Sequence, residues 1–421
     1  VARRVLDRVD RGGAWATPAL DGELARSGLD ERDRRLAAEL VYGVLRNRAR
    51  IDRALAVHAD LSRTPPRVVT ALRIAAYQLM FLDRVPGYAA VDDAVRASRA
   101  AGGAKLAGFC NAVLRKLATA GEPALPDPGH EPRVRIAIEH SLPSWIVDEL
   151  AAAAPDRLGE LAAAFTQPAP LIARANRLRT SRDQLITQLA AAGVTGEPVD
   201  AAPMAIALDG LGDPARSETF RAGLWTVQDA GAQQVALAAA PHAGQRILDA
   251  CAGVGGKSTH LAELCDDAGQ IDAADQLRTK LELAADTARR LGLASLRPVV
   301  CDLLDPAAPL AAAYDVIVLD APCTGLGVLR RHPDAKWRLT PGDIPRLAEL
   351  QRRLLDAVVP RLAPGGALVY SVCTFTHAEG PGQVTALIER TGLRLASEHR
   401  TWPPDADGFY IARLERPGPG G

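Results

Sequence analysis

Arg246-Ile247-Leu248-Asp249-Ala250-Cys251-Ala252-Gly253-Val254-Gly255-Gly256-Lys257-Ser258 is the stretch on which the fold turns. Arg246 to Ala250 reads as a short buried strand, an apolar run closing on an acid. The glycines that follow make a turn, and the spacing predicts a helix from Lys257 to about Cys265. The pattern then repeats. Gly269 to Ala274 reads as a weak strand, Leu277 to Leu291 as a helix, and Val299-Val300 as another short strand. Tyr314-Asp315-Val316-Ile317-Val318-Leu319-Asp320 has the near-continuous aliphatic character of a strand covered on both faces. A helix from Ile344 to Leu362 leads to Ala367-Leu368-Val369-Tyr370-Ser371, and two late strands near Leu393-Arg394-Leu395 and Phe409-Tyr410-Ile411-Ala412 are expected to close the sheet as a hairpin. Alternating strands and helices predict an α/β, Rossmann-like domain over residues 231–416. Its sheet should be doubly wound and mostly parallel, with ligands at the carboxyl ends of the strands.

Upstream, residues 133–230 are mixed. Leu171 to Asn176 can form a strand, Ser181 can cap a helix from Arg182 to Ala192, and Met204 to Leu208 is a further strand. A small α+β, RRM-like module is expected there. Residues 1–122 read as helix after helix. Leu36, Leu40, Val44 and Leu45 recur at helical spacing, as do Val68, Leu72, Ala75, Ala76 and Leu79, then Ala90, Val91, Ala94 and Val95. Pro65-Pro66 and Val85-Pro86-Gly87 punctuate an all-α bundle, and Gly121 through Pro132 reads as a linker.

The chain has 421 residues, 48% of them hydrophobic, enough for a core in each of two or three domains. Its formal net charge is zero, but the charge is unevenly placed. Residues 1–120 carry 21 Lys and Arg against 13 Asp and Glu, whereas the remainder carries 29 against 37. A basic front suits an anion such as RNA, although a solvated arginine-rich helical surface fits the same counts. Six cysteines in this length are not a disulfide framework. With no leader and no apolar run of membrane-spanning length, the expectation is a cytoplasmic protein with reduced thiols and no membrane partner. No cysteine has a partner at zinc-ligand spacing, so no metal is expected.

Each predicted strand of the α/β domain ends in a residue with chemistry. The glycine turn can cradle a nucleotide, but a P-loop requires glycine where Cys251 stands, and a dinucleotide loop requires a different glycine triplet. S-adenosylmethionine, whose amino-acid part sits on such a loop, is the remaining reading. Asp275, at the end of the second strand, can accept both ribose hydroxyls of a nucleoside or cap the helix before Leu277. Asp302, after the third, can receive an adenine amino group or serve as a cap.

The fourth strand ends in Asp320-Ala321-Pro322-Cys323-Thr324-Gly325 and the fifth in Tyr370-Ser371-Val372-Cys373-Thr374. Adjacent strands place both thiols in one crevice. Cys110, Cys265 and Cys301 read instead as small hydrophobes. Paired thiols suit methylation at carbon 5 of cytosine, a poor nucleophile. A thiolate attacking carbon 6 makes the ring enamine-like, so that carbon 5 can take a methyl group; a second group then assists release.

The blocks DACAGVGGKSTH (249–260), LDAPCTGLGVLRRHPDAKWR (319–338) and LVYSVCTF (368–375) resemble the signatures of RNA cytosine-5 methyltransferases. In the helical front, ERDRRLAAELVYGVLRNRARID (31–52), YQLMFLDRVPGYAAVDDAV (77–95) and GFCNAVLRKL (108–117) resemble a NusB-like RNA-binding domain. The combination is similar to bacterial 16S ribosomal RNA enzymes of the Sun, or Fmu, type, over almost the whole chain. The resemblance implies Cys373 as nucleophile and Cys323 as the residue that assists adduct breakdown. It implies S-adenosylmethionine held by Cys251, Ala252, Gly253, Val254, Gly255, Gly256, Lys257, Asp275, Asp302 and Asp320, with Asp320 also able to address the cytosine edge. Arg330, Arg331, His332 and Lys336 are expected on the RNA path or on a charged rim beside it.

Three departures stand out, one of them the weak second strand, Gln270-Ile271-Asp272-Ala273-Ala274, which is more polar than the family prefers. Val254 replaces the family's loop proline, loosening one φ angle. After Cys373 the chain runs Thr374-Phe375-Thr376-His377-Ala378-Glu379-Gly380 where the family has a serine, then two glutamates and an asparagine. The rival readings are the same chemistry on transfer RNA and a non-catalytic RNA-binding or antitermination factor. Intact Cys323 and Cys373 favour an enzyme, and a dehydrogenase fails on loop spacing.

Overall fold

The computed structural model describes residues 1–83, 85–127, 129 and 131–418. The chain forms two compact units. One consists of residues 1–167 together with 329–339, the other of residues 168–328 together with Thr340 onward. Within the expected linker, Pro128 and His130 lie outside the described residues.

The first unit is helical. Asp30 caps the helix Glu31–Arg46, its carboxylate accepting from the Asp33 amide at 2.8 Å. This helix buries Ala37, Val41, Val44 and Leu45. Leu36, expected in the core, is exposed, because the buried stripe runs through Ala37 and a neighbouring position points about 100° away. Pro66 opens the central helix Pro66–Phe81, which buries Val68, Leu72, Ala75 and Ala76 as its periodicity requires. The helix Gly87–Ala120 breaks at Gly102 and Gly103. Helices Pro132–Glu139, Ser144–Ala153 and Leu158–Phe165 also fall in this unit, although the sequence suggested a boundary at residue 133.

The segment 329–339 completes the unit by satisfying helix ends. The last carbonyls of a helix lack partners within it. Here the Trp337 indole donates to the Leu45 carbonyl at 2.6 Å and the Lys336 ammonium to the Arg46 carbonyl at 2.8 Å. At the start of helix Ala16–Ala25, the Ala16 amide donates to Asp334 at 2.9 Å, an anion where the helix dipole favours one.

The second unit holds two sheets. Strands β1 (Leu171–Ala175), β2 (Thr195–Pro198), β3 (Ala205–Asp209) and β4 (Trp225–Val227) form an antiparallel sheet in the order β2-β3-β1-β4. The helix Arg182–Ala191 covers it, capped by Ser181 in a reciprocal box with Gln184. Strands β5 (Arg246–Asp249), β6 (Gln270–Asp275), β7 (Leu296–Val300), β8 (Tyr314–Asp320), β9 (Leu362–Val372), β10 (Arg394–Arg400) and β11 (Tyr410–Glu415) form the larger sheet, ordered β10-β11-β9-β8-β5-β6-β7. β5 to β9 pair in parallel, while β11 runs antiparallel to both β9 and β10. The doubly wound, mostly parallel sheet and its closing hairpin are as the sequence predicts.

Both faces of this sheet are buried. Ile247, Val316, Val318 and Val369 pack with helices Ala230–Ala239, Gly256–Leu264 and Arg278–Leu291 on one side. Leu248, Ile317, Leu319 and Leu368 pack with helices Asp343–Val358 and Pro381–Thr391 on the other. The unusually polar β6 has a specific cause. Asp272 is wholly buried, paired with Arg297 through two contacts of 2.7 Å and accepting from the Tyr314 hydroxyl at 2.7 Å.

Candidate active site

Strand order reverses between β5 and β8, and in open α/β sheets that reversal opens a crevice at the strands' carboxyl ends. A cavity of about 420 Å³ lies there. Its wall takes residues from five successive strand ends: Cys251 and Gly253 after β5, Asp275 and Leu277 at the end of β6, Cys301 after β7, Asp320 to Cys323 after β8, and Cys373 after β9. Leu350 and Leu354 of helix Asp343–Val358 supply apolar cover.

The glycine loop is built for close packing. Gly255 has φ +81°, and a Cβ there would lie 2.5 Å from that of Ala284, so only glycine lets the loop sit on helix Arg278–Leu291. The Gly253 amide donates to Asp275 Oδ2 at 3.0 Å, while Oδ1 accepts from the Leu277 amide at 2.8 Å. Asp275 therefore both caps the turn and holds the loop. Val254, in place of the family proline, is exposed, and Ala252 is buried. Asp302 is exposed and accepts from the Leu304 amide at 2.9 Å, its capping role; Leu303 and Leu304, rather than Asp302, reach the cavity wall.

Asp249 lies beneath the loop, wholly buried. Its Oδ2 accepts from Ser258 at 2.6 Å, and its Oδ1 has no partner among the described residues. Burial pushes its pKa up to about 6.

Lys257, expected among the cofactor residues, pairs with Asp320 Oδ2 at 2.6 Å and lies 5.5 Å from the Phe409 ring. Burial alone would favour neutral lysine, but the Asp320 charge and hydrogen bond outweigh it and raise its pKa. The Ser371 hydroxyl donates to Asp320 Oδ1 at 2.8 Å, so both oxygens of Asp320 are engaged.

The two thiols meet. Cys323 Sγ and Cys373 Sγ are 3.4 Å apart, both half-buried. The hydrogen bond to Cys373, then burial, pushes the Cys323 thiol well above the usual cysteine range. The turn carrying Cys323 is fixed by backbone. The Gly327 amide donates to the Cys373 carbonyl at 2.9 Å, and the Gly408 amide donates to the Gly327 carbonyl at 2.8 Å. A Cβ on Gly327 would lie 1.8 Å from the Gly408 oxygen.

The residues expected on the RNA path lie in the helical unit. Lys336 is buried and engaged with the Arg46 carbonyl, and Arg330 is buried, while Arg331 is half-buried and His332 exposed. Other residues of the site escaped sequence reading. Ser371 was read only as part of a strand. Glu379 lies in the block that departs from the family pattern, and Gln351 is a lone polar residue on the buried face of an amphipathic helix. That last oddity is the one signal available.

A family description of 16S rRNA methyltransferase RsmB/F matches residues 236–415, one of the NusB family matches residues 1–119, and one of the ferredoxin-like domain of RsmF/B-like methyltransferases matches residues 142–213. A probable ribosomal RNA small subunit methyltransferase B of Synechocystis is 35% identical over 403 residues, covering 94% of this chain and 88% of the relative. The chain belongs to the RsmB/F family of 16S rRNA methyltransferases. A Bacillus subtilis relative, also a probable ribosomal RNA small subunit methyltransferase B, is 33% identical, covering 96% of this chain and 89% of the relative. The crystal structure of PH0851 shares the fold, with a TM-score of 0.82 and 22% identity, covering 99% of this chain and 98% of that one.

Membership in the RsmB/F family makes this an S-adenosylmethionine-dependent rRNA methyltransferase and implies an RNA substrate. The NusB-like front and Rossmann-like body are therefore as expected. Among the described residues, no helix of this RsmB/F-family chain is long and apolar enough to cross a membrane.

Proposed function

We propose that this chain methylates carbon 5 of a cytosine in 16S ribosomal RNA, with Cys373 as nucleophile and Cys323 as the residue that clears the adduct. The observation carrying this reading is the pair of thiols, 3.4 Å apart on the wall of one nucleoside-sized cavity. A methyltransferase acting on an oxygen or an amine has no need of two thiols there.

The cavity suits the cofactor's parts. A carboxylate, Asp275, sits at its rim for ribose hydroxyls, Leu277 and Leu303 offer apolar surface for a base, and the Cys251–Gly253 turn leaves backbone room. S-adenosylmethionine held there supplies an electrophilic methyl group for carbon 5. The protein's part is to prepare the ring. Cys373, as thiolate, adds to carbon 6, forming a carbon–sulfur bond and leaving electron density on carbon 5. After methylation, Cys323, its own proton given up to solvent, takes the proton from carbon 5, the ring double bond re-forms, and Cys373 leaves as thiolate.

The two sulfurs, 3.4 Å apart, divide these tasks: Cys373 attacks carbon 6, and Cys323 serves the proton that leaves carbon 5. The Lys257–Asp320 pair, with Ser371 behind it, offers a fixed donor and acceptor for the cytosine edge. Arg331 and His332 are the members of the expected basic set that retain solvent exposure for RNA.

Adduct trapping tests the assignment. Cys323→Ala protein is expected to accumulate a covalent RNA adduct that survives denaturant, and Cys373→Ala to form none. Identical behaviour of the two variants would overturn the division of roles. Bisulfite sequencing of RNA from cells lacking the gene identifies the target, and an unchanged 16S pattern would redirect the reading to transfer RNA.

A further inference from the structure

We propose that Glu379 is a positioning residue whose carboxylate clamps the two cysteine-bearing turns together and so sets the distance between the thiols. Glu379 is fully buried, ahead of helix Pro381–Thr391 and away from the cavity wall. Its Oε1 accepts from the Thr324 amide at 2.8 Å and from Gln351 at 3.2 Å; its Oε2 accepts from the Thr324 hydroxyl at 2.6 Å and the Thr376 hydroxyl at 2.9 Å. Thr324 follows Cys323 directly, and Thr376 lies three residues after Cys373. One rigid group thus holds both turns.

Two further bonds close the arrangement. Thr324 and Thr374, each next to a cysteine, join hydroxyl to hydroxyl at 2.9 Å. Gln351 also donates to the Pro322 carbonyl at 2.9 Å, just before Cys323. The Tyr370 hydroxyl fixes the clamp itself, donating to the Glu379 carbonyl at 2.6 Å. A buried carboxylate this fully hydrogen-bonded rigidifies the groups that it joins. The atoms it fixes are the backbones on either side of the two sulfurs.

This inference rests on the two-thiol reading of the site, but its test does not. Phenylarsine oxide bonds two nearby thiols through one arsenic, with loss of one water, and needs neither RNA nor cofactor. In the full-length protein, mass mapping after alkylation is expected to show Cys323 and Cys373 protected together. Glu379→Ala should lower that capture rate, and lower kcat for methyl transfer, by roughly 10- to 100-fold with little change in the KM for S-adenosylmethionine. Glu379→Gln should restore both. Its amide oxygen can accept from the Thr324 amide and Gln351, and its amide nitrogen can donate to the two threonine hydroxyls.

Undiminished capture in Glu379→Ala would overturn the clamp. A Glu379→Gln protein as impaired as Glu379→Ala would also overturn it, by showing that charge matters rather than geometry. If Glu379→Ala does not fold, Thr376→Val removes one arm at constant shape; slower capture supports the clamp, and an unchanged rate overturns it. Normal capture in the wild type, together with no RNA adduct in Cys323→Ala protein, would count against the proposed reaction alone.

Discussion

Asp249 is an acid shut away from water, and its setting makes a measurable pH signature. Its ordinary pKa is 3.8, and in the folded protein it is pushed up to about 6 because burial penalises the charged form. The folded state thus binds this proton more tightly than the unfolded chain. The associated stability is fully present below about pH 4 and is lost as pH rises through 6. Asp249→Asn keeps an acceptor for Ser258 without the ionisation. It is expected to exceed wild type in stability at pH 7 by on the order of 2–3 kcal/mol, with the gap closing below pH 4. Urea titrations of both proteins at pH 4, 5.5 and 7 provide the check, and a constant gap would remove the explanation. At this scale, legibility depended on position in the chain. Cys323, Cys373 and Asp275 stand at strand ends that hydrophobic runs announce. The Lys257–Asp320 pairing and the Glu379 contacts arise from turns meeting in space, which no local pattern encodes.

Strands and helices account for how the cofactor loop is held. Arg174 of β1 is fully buried and donates to the Gly256 carbonyl at 2.9 Å, to Thr259 at 3.1 Å and to Glu263 at 2.6 Å. The small sheet therefore braces the helix that follows the glycine loop. Arg174→Met leaves Glu263 buried without its partner and is expected to cost about 3–5 kcal/mol, whereas Arg174→Met with Glu263→Met should cost less than Arg174→Met alone. Chemical denaturation of the two variants distinguishes these outcomes. Gly255→Ala should cost about 1–3 kcal/mol through its left-handed backbone, with further loss from the Ala284 collision. Calorimetric titration with S-adenosylmethionine should show weakened binding in that variant. The core strands were legible because burial on both faces demands unbroken aliphatic runs. β2, Thr195-Gly196-Glu197-Pro198, is mostly exposed, and β4 has three residues, so neither carries a period to detect.

The largest departure from sequence order belongs to the whole chain. Residues 329–338 sit inside a signature block of the methyltransferase, yet with Leu339 they are part of the helical unit. The bonds that place them join Trp337 to Leu45 and Asp334 to Ala16, residues some three hundred positions apart, and nothing local announces such a return. Trp337→Ala removes a hydrogen bond and a half-buried ring from this unit and is expected to destabilise it by roughly 2–3 kcal/mol. Hydrogen exchange should accelerate at the ends of helices Ala16–Ala25 and Glu31–Arg46, and unchanged protection there would show that the segment is dispensable. A chain truncated to begin at residue 168 should expose Trp337 and Lys336, and limited proteolysis should then cut among Arg330, Arg331, Lys336 and Arg338.

The same excursion sets a timetable for synthesis. A ribosome that has made Gln167 must add 172 more residues before Leu339 exists. At roughly 5–20 residues per second, this takes on the order of 10–30 s. Through that interval the nascent helical unit lacks the donors for Leu45 and Arg46 and the acceptor for Ala16. Its folding on the ribosome therefore finishes only after most of the catalytic unit's parallel strands have emerged, although residues 1–167 of it are made before any of them.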